Sequence, residues 1–233
     1  IAGRLPRAGL PPVIASGLFR TRAQVEEALR VGAVGISTSQ RELWALAQAT
    51  GEYCVFAHPY WSTASPDRIA RLPGLYAIEV YNHGTERTIA QGHAEFVWDL
   101  LLNAGHRIDA LAVDDAHWHQ GTDDAGGGFV MVKAAARTRQ AIMAALRAGS
   151  FYSSMGPRID AVEISGTTFA VRTSPAAAVV FRGSQFYGSV VRGTPETPVT
   201  HASYTADPQR TRHIRIQVED QHGCRAWSNP FYL

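Results

Sequence analysis

Hydrophobic positions along the chain change rhythm at about residue 157. Before that point, short apolar runs alternate with stretches in which apolar residues recur every three or four positions, the mark of strands alternating with helices. Residues 12–19, PVIASGLF, read as a buried strand entering a glycine turn. Thr21 and Gln24 have the spacing of a capping box, Val25, Ala28 and Leu29 share the face of the helix that follows, and Gly32 stops it. AVGIS is the next strand, and Ser39 with Glu42 opens a second capped helix, RELWALAQATG. The pattern over 12–51 is thus β-α-β-α.

The rhythm continues through YCVFAHPYW, a strand cut off by Pro59, and a short helix, PDRIARL, begun by Ser65 and Pro66. YAIEVYN is a further strand. HAEFVWDLLLNAG is a helix with Phe96, Val97, Leu100 and Leu101 as its apolar positions and Gly105 as its stop. ALAVDDAH is a strand, GTDDAGGG a loop, FVMVKA a strand, and RTRQAIMAALRAG a helix ended by Gly149. Beyond 157, short alternating runs (AVEISG, TFAVRT, AVVFRG, SVVRG, HIRIQVED) separated by turn residues predict a small antiparallel β domain closed by AWSNPFYL. The expected organisation is 1–50, 51–157 and 158–233.

Composition narrows the picture. The 233 residues are 45% hydrophobic with a net charge of +2, enough apolar mass for a real core and no basic block of the kind nucleic-acid binders carry. No run is long and apolar enough to span a bilayer, and no signal peptide is visible, so a cytoplasmic protein is expected. The chain opens at Ile1 in what reads as mid-domain, which suggests a fragment or processed product. Cys54, inside YCVF, reads as a buried free thiol. The oligomeric state is not legible.

The chemistry concentrates in LAVDDAHWH at 111–119. Asp and His are common ligands of divalent metals. On an extended strand Asp115 and His117, two residues apart, point the same way. A polar loop after a strand is the plain alternative. In the strand around Glu79, Ile78 and Val80 form the apolar face, so Glu79 and Tyr81 face the other side, where a carboxylate needs a metal, a cation or hydrogen bonds. His83 and His119 read as rim or solvated residues. Gly126 to Gly128 read as a loop rather than a phosphate cradle, since no helix start follows them.

Several blocks in order, AHPYW at 57–61, AIEVYN at 77–82, WDLLLNAGHR at 98–107, AVDDAH at 112–117, AIMAALRAGSFYSSMGP at 141–157 and the terminal AWSNPF, resemble the PHP (polymerase and histidinol phosphatase) metallohydrolases, in their carbaryl-hydrolase-like branch. The resemblance covers residues 52–233. It implies an α/β fold, a partial PHP-type (β/α) barrel followed by a small antiparallel β domain. It also implies hydrolysis of a small phosphoester or related ester, with a divalent metal (Zn, Mn or Fe) as cofactor. On this resemblance His58, Asp115 and His117 are metal ligands, Glu79 stands beside the metal, and Asp114 orients a ligand histidine or caps the strand.

PVIASGLFRTRAQVEEALRVGAVGISTSQRELW, within residues 1–46, resembles the end of a glycerol-3-phosphate-responsive antiterminator, a TIM-barrel-like regulator. That resemblance places a phosphate at Gly17, Ser37, Thr38 and Ser39, on backbone N–H groups of late barrel loops. The two resemblances meet near residues 45–52. PHP enzymes begin with a His-x-His strand, whereas the first histidine here is His58. The chain therefore reads as a hybrid or rearranged frame with an incomplete metal site and doubtful activity. The alternatives are an antiterminator-like regulator or a non-catalytic domain that binds a metal or a phosphate.

Overall fold

Leu75-Tyr-Ala-Ile-Glu-Val-Tyr-Asn82 organises the larger part of the molecule. Its β-branched and aromatic residues favour a pleated strand, and Ile78 and Val80 are completely buried. The computed structural model describes residues 13–15, 19–30, 33–36, 43–45, 47, 53–118, 121 and 123–233. They fall into two compact units, Ile1–Cys54 and Val55–Leu233.

In the first unit, β1 (Val13–Ala15) pairs in parallel with β2 (Ala33–Ile36), and helix α1 (Arg22–Arg30) connects them. The capping box forms as predicted: the Gln24 N–H donates to Thr21 Oγ1, and the Thr21 N–H donates back to Gln24 Oε1 at 3.1 Å. The second predicted capping box, Ser39 with Glu42, lies outside the described residues.

Strand β3 (Cys54–Phe56) begins at the boundary, and α2 (Pro66–Ala70), β4 (Leu75–Asn82), α3 (His83–Ile89), α4 (Glu95–Asn103) and β5 (Asp109–Val113) follow in the second unit. A three-stranded sheet runs β3-β4-β5, with β4 and β5 parallel. Ser65 caps α2 through the Arg68 N–H, with Pro66 in the first turn, as its sequence indicates. Gly105, at φ +91°, ends α4 through 3.0 Å bonds from its own N–H to Leu102 and from His106 to Leu101.

The face of α4 differs from the predicted one. Trp98, Leu101 and Leu102 are buried, while Phe96 is 76% exposed and Leu100 is partly exposed. The helix is rotated so that the indole, the largest apolar surface available, enters the core, where its N–H donates to the Ile108 carbonyl at 2.8 Å. Ile78, Val80, Tyr81, Trp98, Leu101, Ile108 and Ala110 pack together there.

The chain continues with β6 (Phe129–Val132), α5 (Arg139–Arg147) and β7 (Phe151–Ser154). Eight strands follow: β8 (Ile159–Ser165), β9 (Thr168–Ala176), β10 (Ala178–Gly183), β11 (Gly188–Arg192), β12 (Val199–Thr205), β13 (His213–Glu219), β14 (Arg225–Ser228) and β15 (Phe231–Tyr232). One antiparallel sheet is ordered β11-β10-β13-β14-β7-β6, with β15 on β13; another is β12-β9-β8. Their inner faces share a core of Phe169, Val171, Val179, Phe181, Ile214 and Ile216.

The alternating runs of the sequence lie on antiparallel strands; AWSNPFYL, expected as one closing strand, is divided between β14 and β15, and β12 is added, whose VTHASYT carries too few large apolar residues to stand out. Strands β6 and β7 share a sheet with β10, β13 and β14, so residues on both sides of the expected 157/158 boundary lie in one unit. Among the described residues no sheet closes into a barrel, and no helix is long and apolar enough to cross a membrane.

Candidate functional site

Strand β4 carries an irregularity next to Glu79. Glu79 is registered with Leu111 and Tyr81 with Ala112, so Val80 is the extra residue of a bulge. Bulges re-aim side chains and terminate pairing. Here the strand runs directly into Asn82, which is completely buried and caps α3 by accepting the Thr85 N–H at 2.9 Å. Its amide nitrogen points the other way and donates to both Glu79 Oε2 (2.8 Å) and Asp115 Oδ2 (3.1 Å). One side chain thereby fixes a helix start and joins two carboxylates at the carboxyl ends of adjacent parallel strands.

His58 arrives from β3. Its backbone N–H donates to Glu79 Oε2 at 2.7 Å, while Nδ1 of its ring is buried with no hydrogen-bond partner among the described residues. The ring stands edge-on to Trp61, with centroids 4.8 Å apart. His58 and Asp115 both hold positive φ, +32° and +51°. Such backbone costs about 1–3 kcal/mol per residue where the side chain is not glycine, somewhat less for Asp and His. Its pairing with polar convergence marks this rim as the candidate site.

Burial sets the charge of Glu79. Desolvation pushes its carboxyl up to about 7, against the pull of the Asn82 and His58 hydrogen bonds; the neighbouring Asp115 charge pushes the same way as burial. Near neutral pH Glu79 is divided between its two forms, which suits proton transfer in either direction.

Two other predicted residues take different positions. Asp114 receives three backbone N–H groups, from Gly126 to Oδ2 (2.7 Å) and from Gly127 and Gly128 to Oδ1 (2.8 Å each). Its carboxylate ties down the glycine loop rather than orienting a ligand histidine. The fit needs glycine: a Cβ on Gly127 would stand 2.1 Å from Nδ1 of His83. His83, read as a rim residue, hydrogen-bonds to the Tyr81 hydroxyl at 2.8 Å. His117 is exposed, and its Nδ1 donates to the carbonyl of Asp115 at 2.7 Å. The His117 backbone N–H is the first cause holding the Asp124 carboxyl below its usual range.

The structure therefore brings together Glu79, Asp115 and the backbone of His58, adds Asn82, and turns His117 back on its own strand end. Among the described residues no group of three or more His, Cys, Asp or Glu side chains is placed to hold a metal ion. The donor types suit a divalent cation, and the Asn82 amide engages one oxygen of each carboxylate, Glu79 Oε2 and Asp115 Oδ2. Gly17, Ser37, Thr38, Ser39 and His119 lie outside the described residues. Asn82 is the residue of the candidate site that pattern reading missed. Its signal was the Asn82-x-x-Thr85 spacing just before a helix; its two long-range acceptors left none.

Comparison with known proteins gives one match. Residues 2–44 match the family model described as glycerol-3-phosphate responsive antiterminator, less than a fifth of the chain. This supports the resemblance read from the amino-terminal segment, and nothing in the comparisons supports the PHP resemblance of the remainder. No curated protein and no solved structure matches at a significant level.

Proposed function

We propose that residues 55–233 form a hydrolase unit of the PHP type, a partial barrel joined to a β sandwich, acting on a small phosphoester or related ester. The observation that carries this reading is the Glu79–Asn82–Asp115 bridge at the carboxyl end of a parallel sheet, where open α/β sheets place their ligands. Glu79, held near neutrality by burial, is the acid–base group. Asp115 stands beside it, and Asn82 holds both at hydrogen-bonding distance. A divalent metal, Zn, Mn or Fe, would supply a more acidic water, but the donors as placed do not close around one and no step is assigned to it. The test is hydrolysis of a generic phosphodiester and an aryl ester by the purified chain, with elemental analysis for bound metal. Slow turnover lost in Glu79→Gln is the expected result. Turnover unaffected by that change, or absent on both substrates with and without added Mn2+ or Zn2+, removes the hydrolase reading.

A second reading concerns the amino-terminal segment, and it is the one with a family match behind it. In it the chain is a regulator responsive to glycerol 3-phosphate, which it binds through Gly17, Ser37, Thr38 and Ser39. Calorimetric titration with glycerol 3-phosphate tests this directly. Saturable binding weakened by Ser37→Ala with Ser39→Ala is expected; no binding at millimolar ligand disposes of it. The two assays report on different units, so either reading can fail without the other.

A further inference from the structure

A cavity of about 1100 Å3 lies away from the Glu79–Asp115 rim, at the amino-terminal ends of β4 and β5, between them and the β-sandwich strands. It is lined in part by Arg107, Asp109, Met131, Gly149, Phe231 and Tyr232. Asp109 is its unusual member. The residue is only half-exposed, yet among the described residues its carboxylate has neither a hydrogen bond nor an ion pair, and burial pushes it up to about 6. A half-buried carboxylate without a donor is costly and calls for a partner.

The cation nearest in the sequence does not serve. Arg107 is exposed, stacks its guanidinium over the Tyr232 ring at 4.4 Å, and forms no ion pair with Asp109. Both groups nevertheless line the cavity with Tyr232, whose hydroxyl is pushed up first by burial and then by the Asp109 charge, with Arg107 pulling the other way. Gly149, at φ +65°, lies beside the carboxylate: a Cβ there would make an ordinary contact, 3.4 Å, with Asp109 Oδ2.

Lys133 and Arg147 line the same cavity as Arg107, so its wall offers positive charge and, in Asp109, a carboxylate without a partner among the described residues. A molecule bearing both charges satisfies each, and Phe231, Tyr232 and the part-exposed Met131 offer apolar surface for the rest of it. We propose that this cavity binds a small zwitterion, an amino acid or amino-acid-like molecule with an aromatic or apolar side chain, its ammonium on Asp109 and its carboxylate on Arg107.

The experiment is calorimetric titration of the full chain with L-phenylalanine, N-acetyl-L-phenylalanine and L-phenylalaninamide. L-Phenylalanine should saturate, and each blocked derivative should bind at least about tenfold more weakly, the loss expected for one charge-assisted hydrogen bond. In Asp109→Asn the preference for a free amine should vanish; in Arg107→Gln the preference for a free carboxylate should vanish. No saturable binding of the free amino acid, or equal binding of all three compounds, overturns the proposal. Arg107→Gln changes an exposed residue, and the blocked ligands need no variant, so the test stands even if Asp109→Asn does not fold.

Discussion

Asn82 shows how much one buried side chain can decide. Its oxygen caps α3 and its nitrogen separates two carboxylates that would otherwise repel across the rim. Asn82→Ala should cost about 3 kcal/mol, a cap plus hydrogen bonds to charged groups, read by urea denaturation. Asn82→Asp keeps a capping oxygen but brings a third carboxylate, so its loss should be larger at pH 8 than at pH 5; an equal loss at both would show that only the cap matters.

Asp109 makes a second prediction at this scale. Its folded carboxyl holds its proton up to about pH 6, whereas the ordinary value is 3.8. Between about pH 4 and pH 6 the unfolded chain has released a proton that the folded chain retains. Stability therefore falls as pH rises through that window and levels off above it. Asp109→Asn removes this slope and should be more stable than the parent by up to about 3 kcal/mol at pH 7.5, with no advantage near pH 4. Thermal melts across that range measure it.

Between elements, side chains do work that backbone pairing does not. Strand β5 forms no ladder with β7, yet the Ala112 N–H donates to Ser153 Oγ at 2.9 Å, and that hydroxyl donates to the Ala110 carbonyl at 2.8 Å. Asn229 adds a bond to the Ala110 N–H. Ser153 is completely buried, so Ser153→Ala strands a donor and an acceptor in a dry interface. A loss of about 2–4 kcal/mol is expected, with the Ala112 amide losing protection in hydrogen exchange before the helices do.

The limits of the sequence are visible at this scale too. Local chemistry was readable: Thr21 with Gln24, Ser65 with Pro66, Gly105 and Gly149 all start or stop helices where the pattern put them. Strand alternation alone set Glu79 apart from Ile78 and Val80. What failed depended on contacts that alternation and spacing do not encode. The buried face of α4 was settled by where Trp98 found room, the anchor role of Asp114 by a loop more than ten residues away, and the orientation of His117 by its own backbone. Residue type marked Asp115 and His58, but type cannot show which groups a donor such as Asn82 will reach.

At the scale of the whole second unit, Arg215 on β13 joins the sandwich to the helical side. It is fully buried and forms a bidentate pair with Asp99 of α4, at 2.8 and 2.9 Å, with its guanidinium 4.9 Å from the Trp98 ring centre. Removing one member leaves a charge with poor access to water. Arg215→Met should cost about 3–5 kcal/mol, whereas Arg215→Met combined with Asp99→Leu should recover a large part of that loss, as apolar replacements of buried pairs do. A double variant no better than the single one would assign the loss to the stacking on Trp98.

Trp227 has a consequence for how this chain comes to be folded. It sits on β14 yet packs in the core with Tyr81 and Trp98, residues made more than about 125 positions earlier. During synthesis the earlier core must wait, its greasy interior open to other molecules, until residue 227 has left the ribosome. Such late closure slows maturation and invites chaperone capture, and a chain stopped before residue 225 should be recovered as insoluble material.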